Sequence, residues 1–231
     1  ENRGHAAQDP ALEFTGGIYT NSCIFELKNL IASLISAFHI EPLAKLRTQG
    51  ENISTPGLMQ FSKTEHILPA WFDKLQKSRN GKKVDEYFKK AGRLTLKQLI
   101  ASLRSPTNRF YSYDINASIE ECIKWFTSTC RSYLESEAYL LIAAGVDTLY
   151  IQMKEQEAKA AMVHADVLAD RLHAHIKQQA QADFGVDINI DIKCSAHLSH
   201  MVIPASTSNR ENTTGLRYAG LKNEALTLSG L

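Results

Sequence analysis

From Ser118 to Ala182 the apolar residues recur at three- and four-residue steps, and this spacing constrains the fold more than any other feature of the chain. A period near 3.6 residues lines one face of an α-helix. Ser118-Ile-Glu-Glu121 has the form of a capping box, which predicts a helix start. The apolar face then reads Ile119, Cys122, Ile123, Phe126, Cys130, Tyr133, Leu134 and Leu141, with Gly145 as a C-terminal stop. Asp147 can cap a second helix reaching about residue 182, with Ile151, Ala158, Ala161, Met162, Ala165, Leu168, Leu172 and Ile176 inward. So much inward alanine suits close antiparallel helix packing. The expected fold class is mainly α, with an α+β element: a helical bundle with two long antiparallel helices and a small C-terminal β-hairpin.

The hairpin follows from a change of period after Gly185. Val186, Ile188, Ile190 and Ile192 alternate with polar residues, which predicts a half-buried strand over 186–193. His200 to Pro204 supplies its partner. Upstream, Ile24, Leu27, Leu30, Ile31, Leu34, Ile35 and Phe38 predict a helix from Asn21 to near Pro42. Residues 48–66 are polar, with Gly50, Pro56 and Gly57, and read as a loop. Short helices are expected at about 69–76, at 84–91 stopped by Gly92, and at 96–104 behind a second capping box, Thr95 to Gln98. Asn80-Gly81 marks a turn. The domain reading is a flexible N-terminal arm over 1–20, a helical domain with its hairpin over 21–204, and a mobile linker and docking tail over 205–231.

The 231 residues suffice for one large domain or two small ones. No apolar run approaches the roughly 20 residues that cross a bilayer, so no membrane association is expected. Cys122 and Cys130 on a shared helix stand about 12 Å apart, beyond disulfide reach of about 7 Å. With no paired spacing among the four cysteines, a reducing, cytoplasmic location is expected. The first residue is Glu1 rather than methionine, which fits a processed or truncated start.

Charge is distributed unevenly. Between Lys74 and Arg109 eleven Lys or Arg stand against two acids, so a formal net charge of +1 divides into +9 for that segment and −8 for the rest. Ordinary surfaces intersperse both signs. Trp71, Phe72, Tyr87, Phe88, Phe110, Tyr111 and Tyr113 flank or interrupt the cations. Phosphates call for Lys and Arg, and unstacked bases call for aromatic faces worth about 1–3 kcal/mol each. The segment therefore points to a non-enzymatic nucleic-acid-binding or nucleoprotein-assembly protein, with single strands favoured over duplex. Lys82, Lys83, Lys89, Lys90, Arg93, Lys97 and Arg104 are the candidate phosphate contacts. Arg109, Phe110 and Tyr111 are the candidate base clamp. The turn around Gly92 has the outline of a helix-turn-helix, but Arg93 and Gln98 occupy positions that such a motif buries.

Three other readings compete. Lys and Arg could simply solvate one face of two helices. The basic surface could dock an acidic protein in a scaffold or a larger assembly, and the −8 remainder would allow homo-oligomers. The third is a metal-dependent enzyme on Cys194, His197 and His200, whose three-residue steps in CSAHLSH would share a helix face. No HExxH, GxxxxGK, GxGxxG or GxSxG occurs. No motif therefore assigns a catalytic residue or a cofactor.

Overall fold

The first long apolar run divides at Asn29, whose φ of +59° lets the backbone leave a strand and enter a helix. The computed structural model describes residues 13–79, 85–155, 157–204 and 216–229. In chain order its elements are β1 (Glu13–Phe14), β2 (Gly17–Lys28), α1 (Leu30–Phe38), α2 (Pro42–Leu46), β3 (Asn52–Ser54) and β4 (Gln60–Ser62). There follow α3 (Leu68–Arg79), α4 (Glu86–Arg104), α5 (Tyr113–Ser136), β5 (Leu140–Ala144), β6 (Thr148–Gln152) and α6 (Ala158–Phe184). The last are β7 (Asp191–Ile203), β8 (Tyr218–Lys222) and β9 (Ala225–Ser229). Among the described residues no helix is long and apolar enough to cross a membrane.

The described residues form two compact units. One comprises 31–79, 85–125 and 180–188; the other comprises 13–30, 126–155, 157–179, 189–204 and 216–229.

The second unit is organised by a seven-stranded antiparallel sheet in the order β1-β5-β6-β2-β7-β8-β9. Its longest ladder runs between β2 and β7, from Gly17 opposite Ile203 to Lys28 opposite Asp191. Period-2 alternation gives β2 one buried face, with Cys23, Phe25 and Leu27 at 0–2% exposure. The inward sides of α5 and α6 are equally buried, at Phe126, Cys130, Leu134, Ala165, Leu172 and Ile176. On the other face Ile24 stands opposite Tyr150, and the Tyr150 ring meets Tyr218 edge-on at 5.5 Å. β8 turns into β9 through Asn223 and Glu224, both at positive φ, as a tight two-residue hairpin requires.

The first unit packs α1, α2, α3, α4 and the N-terminal half of α5 around Leu34, Ile35, Phe38, Phe61, Phe72, Leu96, Leu103 and Ile119. Phe38 meets Trp125 and Phe184 edge-on at 6.3 and 5.3 Å. The start of α3 is held by Glu41, which is 2% exposed. Its carboxylate accepts from Ile67 N at 2.6 Å and Leu68 N at 2.7 Å, satisfying donors that a helix N-terminus leaves open.

This α+β architecture overturns the expected helical bundle with one hairpin. Three runs read as helix contain strands. The run from Asn21 holds β2, with only Leu30 onward helical. The helix expected to end at Gly145 stops at Ser136 and is followed by β5. The one expected from Asp147 starts at Ala158, after β6. Residues 186–190 are irregular, and His200 to Ile203 is the end of β7 rather than a partner strand. Within the described part of the expected docking tail, β8 and β9 extend the large sheet. The expected loop over 48–66 carries the β3–β4 hairpin.

The two expected helices around Gly92 are a single one, α4. Thr95 does not cap; its Oγ1 donates to the Ala91 carbonyl at 2.9 Å within the helix. Ser118 likewise lies inside α5 and donates to the Asp114 carbonyl at 2.7 Å. The outline of a helix-turn-helix disappears with the turn.

Candidate functional site

The continuity of α4 decides how the cations are displayed. An α-helix turns about 100° per residue. On that spacing Lys90, Arg93, Lys97 and Arg104 fall within a sector of roughly 60°. Gly92, Leu96 and Leu103, all buried, lie on another side. From Lys90 to Arg104 the stripe extends about 21 Å at 1.5 Å per residue. The helix is capped by Asp85, which accepts from Tyr87 N at 3.2 Å, and it ends with Ser105 N donating to the Ala101 carbonyl at 2.9 Å.

Lys90, Arg93 and Lys97 are exposed, and among the described residues none of them has an acidic partner. Lys89 lies off the stripe and reaches Glu86 at 3.9 Å. Arg104 is half-buried, and its Nε donates to Asn116 Oδ1 at 3.3 Å; Asn116 Nδ2 in turn donates to Glu120 Oε1 at 2.8 Å. That chain of bonds fixes the last cation of the stripe against α5. Lys82 and Lys83, and the expected turn at Asn80-Gly81, lie outside the described residues.

The connection from α4 to α5 carries the aromatic candidates. Asn108 N donates to Ser105 O, and Tyr111 N to Asn108 O, so two turns follow each other. The Asn108 side chain accepts from Phe110 N at 3.0 Å, an Asx turn that fixes the backbone there. Phe110 is left 54% exposed, and the Arg109 guanidinium lies over its ring at 5.3 Å. Tyr111 is half-buried. Arg109 and Phe110 thus form one exposed pair, to which Tyr111 contributes less surface. Two other aromatics of the segment, Tyr87 at 83% and Tyr113 at 74% exposure, are more open than Phe110 or Tyr111. Tyr87 sits about 60° around α4 from Lys90, a spacing readable once the helix is taken as continuous.

The Cys194, His197 and His200 group is not brought together. All three lie on β7, where Cys194 faces Phe25, His197 faces Cys23 and His200 faces Thr20 across the ladder. Directly opposed residues share a face, so Cys194 and His197 lie on the buried face of Phe25 and Cys23, while His200 is exposed beside Thr20. Among the described residues no group of three or more His, Cys, Asp or Glu side chains is placed to hold a metal ion.

No family model matches the sequence, and no curated protein matches it. Among solved structures the chain resembles the family B DNA polymerase from the hyperthermophilic archaeon Pyrobaculum calidifontis, with a TM-score of 0.63 and 14% identity. The match covers 98% of this chain and 28% of the polymerase chain, and at that identity the likeness is one of fold.

Proposed function

We propose that this chain is a nucleic-acid-binding module that holds a phosphate backbone along α4. One observation carries the reading: Lys90, Arg93, Lys97 and Arg104 share a narrow stripe about 21 Å long, and no acid among the described residues neutralises it. Nucleic-acid backbones repeat a negative charge about every 3.4 Å per strand, so the stripe matches the length of about six phosphates. Lys82, Lys83 and Lys89 belong to the same basic segment of the sequence. The fold likeness to a DNA polymerase agrees in kind, because that protein's name is that of an enzyme working on DNA.

Single strands are the favoured ligand. Exposed rings at Tyr87, Phe110 and Tyr113 offer faces on which unpaired bases can lie, whereas bases in a duplex are already stacked on one another. Arg109 clamps beside Phe110, and Tyr111 adds an edge. The role is binding, within a nucleoprotein assembly, and no reaction is assigned.

The test is fluorescence anisotropy of a labelled oligothymidylate, titrated with the full chain at several salt concentrations. Engaging four to eight cations predicts a slope of log affinity against log salt between about −3 and −6 for single strands. Binding that is undetectable at low salt, or indifferent to salt, overturns the reading. Tighter binding to an acidic protein that survives nuclease treatment would assign the stripe to a protein partner instead.

A further inference from the structure

The β2–β7 ladder contains a one-residue irregularity with chemical consequences. Ile24 stands opposite Ala196, but Phe25 stands opposite Cys194, so Ser195 is an extra residue on β7. A β-bulge of this kind shifts the alternation of the strand that carries it. Cys194, which would otherwise face away from His197, comes round to the same buried face. Cys23 is on that face too, directly opposite His197 and diagonal to Cys194.

We propose that Cys23 and Cys194 form an oxidisable dithiol, closed by hydrogen peroxide to a disulfide that staples β2 to β7. The two thiols are near enough to influence each other's titration, and the Cys194 thiol also has the Ala196 carbonyl at 3.8 Å. They are unequal in ways that assign the roles. Cys23 is fully buried, while Cys194 is half-buried and reachable from solvent. The Cys23 thiol is pushed up, first by its interaction with Cys194 and then by burial. The Cys194 thiol is held below its ordinary value, first by its interaction with Cys23, against the opposing effects of burial and of Asp166 on α6. Thiolates, not thiols, are the nucleophiles in such chemistry. Cys194 is therefore the attacking group and Cys23 the resolving one.

The reaction balances in two steps. The Cys194 thiolate attacks one peroxide oxygen; the O–O bond breaks, Cys194 becomes a sulfenic acid, and hydroxide leaves and is protonated to water. Cys23 sulfur then attacks the Cys194 sulfur, the S–O bond breaks, and the departing hydroxide takes up the Cys23 proton as a second water. Two thiols have lost two electrons, and the peroxide has gained them. Diagonal neighbours on paired strands lie about 7–8 Å apart between Cα atoms, at the edge of disulfide reach. The bond must draw the strands together at the bulge, so it is strained and easily reduced.

Cys122 and Cys130 serve as internal controls. Both are fully buried, on α5, and burial pushes their thiols up.

The experiment treats the folded full chain with hydrogen peroxide, blocks the remaining thiols with maleimide under denaturing conditions, and reads intact mass and non-reduced peptides. The expected product has lost two hydrogens, takes up two maleimides in place of four, yields a linked peptide pair containing Cys23 and Cys194, and reverts with dithiothreitol. In the Cys23→Ser variant Cys194 is instead captured by dimedone as the sulfenic acid. The proposal is overturned if all four thiols still label after treatment, or if Cys122 or Cys130 is oxidised as fast as Cys194. Because the wild-type chain alone gives this readout, a poorly folding variant does not blunt it. The outcome is also independent of whether α4 binds nucleic acid.

Discussion

The chain has two charged surfaces built from the same residue types in opposite ways. At one end of the sheet, Lys28 meets Asp191 at 4.0 Å and Lys193 meets the same carboxylate at 3.7 Å. Glu26 stands opposite Lys193 in the ladder, so acids and cations alternate across β2 and β7. On α4, Lys90, Arg93 and Lys97 follow one another along a face with no acidic partner among the described residues. The first surface is neutralised within the chain. The second leaves its charge unneutralised. Exposed ion pairs contribute only about 0–1 kcal/mol to stability, so neither arrangement is explained by folding energetics. What separates them is the field each presents to the outside.

The comparison depends on α4 being a rigid rod whose inner side is core. The largest expected effect is therefore on that side. Leu96 is 4% exposed, and Leu96→Ala should cost about 2–5 kcal/mol of stability, read from the urea midpoint. If the loss stays below about 1 kcal/mol, α4 does not hold the stripe against a core, and the contrast between the surfaces weakens. The next effect is on the outer side. Replacing Lys90, Arg93 and Lys97 together with Ala should leave the urea midpoint in place. It should lower oligonucleotide affinity roughly tenfold to a hundredfold at low salt and flatten the salt slope by about 2. An unchanged slope would mean that these three cations touch no phosphate.

How much of this was legible in the sequence depended on local signals. The basic segment and its aromatics could be counted directly. The stripe could not, because Gly92 and Thr95 look like a helix stop and a new cap, whereas Gly92 is buried inside α4 and Thr95 bonds back to Ala91. The strands were hidden by apolar residues that happen to fit both periods. Cys23, Phe25 and Leu27 alternate as a strand, but Ile24, Leu27 and Leu30 also step as a helix. The end of α5 carries no glycine. Ala138 takes the left-handed conformation at φ +57°, with Tyr139 N donating to Leu134 O and Ala138 N to Glu135 O, a Schellman closure without its usual residue. Leu141 then continued the apparent helical period into what is a strand. Pairings such as β2 with β7 join residues more than 160 positions apart, and no local pattern encodes them. The bulge at Ser195, which turns Cys194 toward Cys23, belongs to that same non-local layer.

A finer test separates charge from stacking within the first unit. Phe110→Ala removes a half-exposed ring and should weaken single-strand binding by about 1 kcal/mol, with no change in salt slope because no cation is lost. Arg109→Ala should do the reverse, lowering the slope by roughly 0.7. If both variants behave alike, the pair acts as one packed unit rather than as separate base and phosphate contacts.

The smallest effect is expected on the neutralised surface. Lys28→Ala and Lys193→Ala each remove an exposed partner of Asp191, and each should change stability by no more than about 0–1 kcal/mol. Oligonucleotide affinity and salt slope should be unaffected, since cations already neutralised by a carboxylate release few counterions on binding. This near-zero outcome bears most directly on the comparison. Lys28 and Lys193 carry the same charge as Lys90 and Lys97 and are comparably open, at 47% and 61% side-chain exposure. If removing them weakens binding as much as removing two stripe residues, total charge governs affinity and the arrangement on α4 is irrelevant. If binding holds, the absence of local acids is what makes the α4 stripe a binding surface.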